Sequence, residues 1–245
     1  MTLYSAPIII HQCPACGGYF KRSSGISPYP QGDIPEWTDG KNGQWRAGAS
    51  APVGRCPLCS TAVWIDDATE VMQLPRFPPA MRAAARLWHR MTGDRNGRLR
   101  AVLEWEALPH EVKHAEGIDQ LESANDYIDA LANLPPEALA EELYLRRRLW
   151  WAGNDHCRFM ANGEPIAQQP LVPPAVAHSN MLRLLVLLEH TPHGQVARGE
   201  ILRELGRFSE AVFVLSAVSP DAPSAATAYR IEYLAKTHIS ELRSL

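Results

Sequence analysis

Long apolar runs are scarce in this chain, and their scarcity excludes several classes of protein. Residues 6–10 are apolar, but no basic residues precede them and no cleavage-like site follows. The stretch is too short for a signal peptide or a membrane span. Residues 182–188 are denser, yet Arg183 interrupts them, so they read as a buried helix. An excess of either charge is missing as well. A formal net charge of −3 over 245 residues offers no global reason to expect nucleic acid or acidic lipid as partner, and no membrane association is expected. Within residues 1–80 the basic side chains (Lys21, Arg22, Lys41, Arg46, Arg55, Arg76) are balanced by Asp33, Glu36, Asp39, Asp66, Asp67 and Glu70. A module that grips phosphates shows a clear basic excess, so nucleic-acid binding there is disfavoured. No glycine-rich phosphate loop, G-x-S-x-G elbow or Cys–His pairing stands out. Cys157 does follow His156, but neighbours on a helix point in different directions, and Cys157 reads as a small buried hydrophobe. What remains, 46% hydrophobic and 21% charged residues, suits a soluble globular protein of one large domain or two ordinary ones.

Cysteine is sparse too, with five residues, but four of them fall in two matched turns: Cys13-Pro14-Ala15-Cys16-Gly17 and Cys56-Pro57-Leu58-Cys59. Two thiols three positions apart around a tight turn point at one centre. Two such knuckles supply four thiolates, the complete tetrahedral shell of a structural zinc ion. Pro14 and Pro57 fix the entry to each turn, and Gly17 can take the left-handed conformation that closes it. Strand-like runs flank both knuckles: Ile8-Ile9-Ile10 and Tyr19-Phe20 around the first, Ala62-Val63-Trp64-Ile65 after the second. Residues 8–66 resemble the zinc-ribbon class, which implies one structural Zn²⁺ held by Cys13, Cys16, Cys56 and Cys59. A rubredoxin-like iron site uses the same four thiolates. Against it, Ser60 stands where that pattern has glycine, and residues 17–55 form a long insert. A closed shell of thiolates leaves no open position on the metal, so the ion is expected to be structural rather than catalytic. Committing four of five cysteines to it points to a reducing compartment and a cytoplasmic protein.

Between the knuckles, Trp37-Thr38-Asp39-Gly40-Lys41 carries an Asp-Gly turn flanked by strand-forming residues and predicts a hairpin. Trp37, Trp45 and Trp64 are then expected to cover a sheet too small to have its own core. Residues 74–79, with three prolines, form a joint, and the pattern beyond it is helical. Residues 79–91 predict a first helix ended by Gly93, with Arg82, Arg86 and Arg90 on one face and Ala84, Leu87, Trp88 and Met91 on another. Arg95, Arg98 and Arg100 extend that basic run, opposed by Asp94. It reads as a solvated face, or alternatively as a surface for an acidic partner. Further helices are expected over 99–108 and 118–134, and from Pro136 to a cap at Gly153.

His110-Glu111-Val112-Lys113-His114 spells H-E-x-x-H, the helical zinc-protease signature, in which His110 and His114 would be ligands and Glu111 the base. Gln120 stands where the extended motif has its third histidine, and Lys113 and Glu116 occupy positions usually apolar. The match is read as coincidence. The last third is the most regular. Gly199, the turn Gly206-Arg207-Phe208, Ala211, Leu215 and Pro223 together resemble a tetratricopeptide repeat of ~34 residues spanning about 192–225, with Gln195 in place of its first-helix tryptophan. The sequence therefore predicts an α+β protein: a small N-terminal zinc-ribbon β module over 1–73, and a larger all-α helical-hairpin, tetratricopeptide-like domain over 74–245. It is similar in layout to uncharacterised bacterial zinc-ribbon proteins with helical tails. Both parts are recognition devices, so the expected role is to bind another protein, as adaptor or as inhibitor of a toxin or enzyme (an immunity-type partner). A zinc peptidase and a nucleic-acid factor are the alternatives.

Overall fold

The structure is a computed structural model that describes residues 8–23, 36–41, 51–74, 80–159, 165–191 and 194–245. It is α+β, with small sheets near the N-terminus and helices through the remainder. The chain forms two compact units. One comprises Met1–Tyr29 with Ala47–Leu121, the other Pro30–Arg46 with Glu122–Leu245.

In the first unit, β1 (Ile8–Gln12) and β2 (Tyr19–Ser23) are the antiparallel arms of one knuckle, and β3 (Val53–Arg55) and β4 (Ala62–Trp64) those of the other. β5 (Thr69–Leu74) returns along β1, with a bulge between Ile10 and His11. The extra residue is Val71 on β5. β1 keeps its register with β2, so Ile10 and His11 point to opposite faces, Ile10 packing with Leu74, Val112 and Ala115 and His11 stacking on the Phe20 ring. α1 (Ala83–Thr92), α2 (Arg98–Ala107) and α3 (His110–Lys113) follow. The chain then lays down β6 (Glu116–Gly117), parallel to β2, and β7 (Asp119–Gln120), antiparallel to β3. The two sheets run β5-β1-β2-β6 and β4-β3-β7. The helix expected over 118–134 is therefore strand in its first residues. Pairing of Asp119 with Arg55 and of Gln120 with Gly54, far earlier in the chain, takes the backbone hydrogen bonds a helix would have used.

Among the described residues, two apolar clusters pack within this unit. Val112 and Ala115 join Ile10 and Leu74 on the larger sheet, with Trp105 and Leu108 packed alongside. Phe20, Val63, Ile65 and Ala68 surround the sulfurs of Cys13 and Cys56.

Among the described residues, the second unit stacks six α-helices in chain order: α4 (Ala124–Ala132), α5 (Leu139–Asn154), α6 (Pro174–Glu189), α7 (Gln195–Glu204), α8 (Phe208–Ser216) and α9 (Ala225–Lys236). α4 starts with a capping box between Ser123 and Asp126, and α6 with Pro174 in its first turn. α7 ends at Gly206, whose left-handed φ of 73° lets Arg207 N–H reach back to Leu202 O at 2.8 Å. That turn sends α8 back along α7. Gly153, expected as a cap, lies inside α5, which runs one residue further into a short 3-10 turn over Asp155–Cys157. Trp150, Trp151, Leu184, Leu188 and Ile201 form the centre of the α5–α6–α7 core.

Residues 36–41 belong to this unit, where Trp37 bridges Ser244 and lies beside the Arg158 guanidinium; Trp45 lies outside the described residues. The turn itself is present, with Gly40 N–H donating to Trp37 O at 2.8 Å. Its side chains enter a buried ionic network. Arg158 bonds Asp39, Thr38 donates to Glu200, and Lys41 pairs with Asp155 at 2.5 Å. Arg203 pairs with Glu200 at 2.6 Å and donates to Ile239 O and Glu241 O of the tail. Glu204 accepts from Trp150 Nε1 at 2.8 Å and Asn154 Nδ2 at 3.1 Å. Burial, and then the neighbouring carboxylates of Glu200 and Asp39, push the Glu204 carboxyl well above its ordinary range. The tail closes the network from outside: Thr38 N–H bonds Arg243 O, and Leu245 N–H bonds Glu36 O.

Candidate metal centre

The two knuckles are hairpin loops built alike. In each, the N–H four residues after the first cysteine donates to its carbonyl: Gly17 to Cys13 at 2.9 Å, Ser60 to Cys56 at 2.8 Å. In each, the first cysteine's own N–H closes the loop, Cys13 onto Gly18 O and Cys56 onto Thr61 O. The residue after the second cysteine has left-handed backbone in both, φ 71° at Gly17 and 59° at Ser60. Glycine adopts this freely; a residue with a Cβ pays about 1–2 kcal/mol in steric strain. The serine at position 60 is thus a difference of side chain without a difference of turn. Leu58, at the tip of the second knuckle, packs over Gly18, where an added Cβ would come within 2.3 Å of its Cδ1.

These turns bring all four predicted ligands together. The sulfurs of Cys13, Cys16, Cys56 and Cys59 lie within 4.8 Å of one another, with Cys13–Cys59 and Cys16–Cys56 both at 3.9 Å. Disulfide bonding needs about 2.05 Å, so the thiols are free. A tetrahedron of thiolates about 2.3 Å from a central ion has S···S edges of about 3.8 Å, which matches the observed spacing. The donor set therefore fits one four-coordinate metal ion such as zinc. Cys13 and Cys56 are 1% exposed, while Cys16 opens to solvent.

The electrostatics call for a cation. Burial pushes the Cys56 thiol up to about 12, although the N–H groups of Cys59 and Leu58 favour its thiolate. Hydrogen bonds from the side chain and then the backbone of Thr61 draw Cys59 down to about 6. Four sulfurs this close cannot all ionise against one another, and a divalent ion supplies the charge that lets them. An ion held by all four sulfurs would have no open position, and would crosslink β1–β2 to β3–β4.

The other sequence candidates fare differently. α3 does bring His110 and His114 together, their ring centroids 4.2 Å apart, on its exposed side, while Val112 turns into the core. Among the described residues, however, the four cysteines are the one group of three or more His, Cys, Asp or Glu ligands that gathers as a metal site. Cys157 and His156 do pair, although helix geometry argued against it in the sequence. The 3-10 turn puts Cys157 Sγ 3.1 Å from His156 Nε2, with His156 Nδ1 2.8 Å from Gly153 O. Burial and the nearby Glu204 push the Cys157 thiol up, away from the thiolate a nucleophile requires. Arg86 of the basic run pairs with Glu106 at 2.7 Å, and Arg100 with Glu104 at 2.8 Å.

Fold and site together define an α+β protein with a four-cysteine cluster in its β region and a helical unit beyond. Compared with protein-family models, curated proteins and solved structures, the chain matches none.

Proposed function

We propose that this chain is a non-enzymatic cytoplasmic protein that binds another protein, as an adaptor or as the inhibitor of a toxin or enzyme. In this reading the cysteines hold one structural zinc within a zinc ribbon, and α7–α8 form a tetratricopeptide-like unit. One observation carries it: a groove of about 640 Å³ along α6, α7 and α8. Leu182, Val186 and Phe213 line it and stay exposed, Phe213 at 79%. Arg198 also lines it; its Nε is buried without a hydrogen-bond partner, and its guanidinium stands 3.9 Å from Glu189. An apolar floor beside an under-used guanidinium suits an amphipathic segment that carries a carboxylate.

The test compares the native chain with a Val186→Asp/Phe213→Asp variant, both changes being on exposed positions, in pull-downs read by quantitative mass spectrometry. A protein recovered stoichiometrically by the native chain, surviving gel filtration and lost with the variant, supports the proposal. Equal recovery by both, or no protein partner at all, ends it. Glu111→Gln is expected to leave that recovery unchanged.

A further inference from the structure

α3 carries two imidazoles that the fold does not use. Val112 and Ala115 are buried with Ile10 and Leu74 on the larger sheet, which pins one side of the turn to the core. The carbonyl of Pro109 accepts the Lys113 N–H at 3.1 Å, and that of His110 accepts the His114 N–H at 3.0 Å. Residues four apart on such a turn lie about 40° round from one another and one turn along. His110 and His114 therefore share the outward side. Both are exposed, with ring centroids 4.2 Å apart and planes tilted by 33°. Neither imidazole has a hydrogen bond or ion pair among the described residues. Two ammonium groups meet this turn, and both are bound to carbonyl oxygens: Lys113 Nζ donates to Glu106 O at 2.7 Å, and Lys21 Nζ to Lys113 O at 3.4 Å.

A neutral imidazole offers one nitrogen lone pair, and two held side by side offer a chelate. Metal–nitrogen bonds of about 2.0–2.1 Å place two ligating nitrogens of one ion about 3–3.4 Å apart. Rings with centres 4.2 Å apart reach that spacing by small side-chain rotations. The donor type selects the class of cation. Imidazole suits zinc, copper and nickel, whereas magnesium and calcium take oxygen ligands. We propose that His110 and His114 form a surface chelate for an exchangeable divalent transition-metal ion, apart from the cysteine cluster. The two sites differ in kind. Four thiolates would close the shell of their ion, while two imidazoles leave at least two positions open. Glu111 does not gather with the histidines as a third ligand, so this is not the peptidase arrangement, whose ion is held by three protein ligands. An ion held by two exchanges readily, accepts ligands from outside the chain, and comes off on desalting.

The experiment titrates Ni²⁺ into the full chain, loaded with zinc and desalted, by isothermal calorimetry. One nickel ion per chain is expected, without the sulfur-to-nickel charge-transfer absorption that displacement at the cysteines would give. His110→Ala and His114→Ala change exposed residues. Each is expected to weaken binding at least about tenfold, because the second imidazole acts at high effective concentration. His178→Ala, exposed on α6, should leave binding unchanged, as should excess Mg²⁺; excess Zn²⁺ should compete. Circular dichroism and zinc content after desalting should be the same in all three variants. Absence of nickel binding overturns the proposal, and so does binding that survives the loss of either histidine. Affinity that falls equally with His178→Ala, or uptake confined to the cysteines, overturns it too. Failure here leaves the groove of α6–α8 untouched, and failure there leaves the histidine pair untouched.

Discussion

Two glycines inside helices should respond to the same substitution with opposite signs. An alanine Cβ at Gly199 in α7 would stand 2.4, 2.5 and 2.9 Å from the Cγ, Cδ2 and Cδ1 of Leu215 on α8. Leu215 is 3% exposed and boxed in by Ala228, Ile231, Val196 and Val218. Restoring ordinary contact requires the leucine to retreat by more than an ångström into packed neighbours. Overpacking of this kind costs about 1–3 kcal/mol, and the helix gains back about 0.5–1 kcal/mol from losing glycine. Gly199→Ala should therefore destabilise by about 1–2 kcal/mol, or roughly 2–8 °C in Tm at this chain length. At Gly153 in α5 the same Cβ would meet Val172 at 3.8 Å and Ala177 at 4.0 Å, ordinary contacts. Gly153→Ala should stabilise by about 0.4–1 kcal/mol. Thermal unfolding followed at 222 nm reads both. Combining Gly199→Ala with Leu215→Ala should cost less than the sum of the two, because the new methyl fills part of the space vacated. If Gly199→Ala stabilises as Gly153→Ala does, α7 and α8 are not in close contact there, and the helical-hairpin account of this unit fails with it.

Chelation at neutral pH should strip one metal ion per chain and unfold the strands of the first unit while leaving most helical ellipticity, since α4–α9 lie in the other. Cys56→Ser should do the same without chelator, as read by elemental analysis and by amide exchange in β1–β5; two ions per chain would contradict a single closed shell. Affinity for that ion should fall with pH, because protons compete for the thiolates. Glu204 gives a second pH dependence of definite sign. Its folded-state pKa lies well above the unfolded 4.5, so below 4.5 the carboxyl is protonated in both states and no penalty exists. As pH rises from there towards the folded value, the unfolded chain releases the proton first and stability falls. Glu204→Gln should flatten that decline and overtake the native chain in Tm as pH climbs; parallel curves would refute the assignment.

Much of the candidate site was legible because its geometry is local. A C-x-x-C turn closes through hydrogen bonds that span five residues, so spacing alone marks Cys13, Cys16, Cys56 and Cys59 as ligands of one centre. The helices of the last third follow from apolar periodicity, and the α7–α8 turn from Gly206. The charged residues were another matter. Glu200–Arg203 and Arg207–Glu210 are both pairs at i,i+3, and nothing in the sequence separates them. Yet the first pair is 0% exposed at both side chains and the second about half exposed, because residues 36–41 and the tail fold over one and not the other.

By itself the sequence determined what short stretches of chain can decide: the two cysteine turns, the helical periodicity, the mixed class of the fold. Tertiary structure alone decided that residues 116–120 join the sheets as strands, that the Asp39 turn docks among the helices, and that the apolar face of α1 is left outside. Strand pairing, buried ion pairs and the burial of a helix face depend on partners remote along the chain, and a pattern read within one segment carries no record of which partner will arrive.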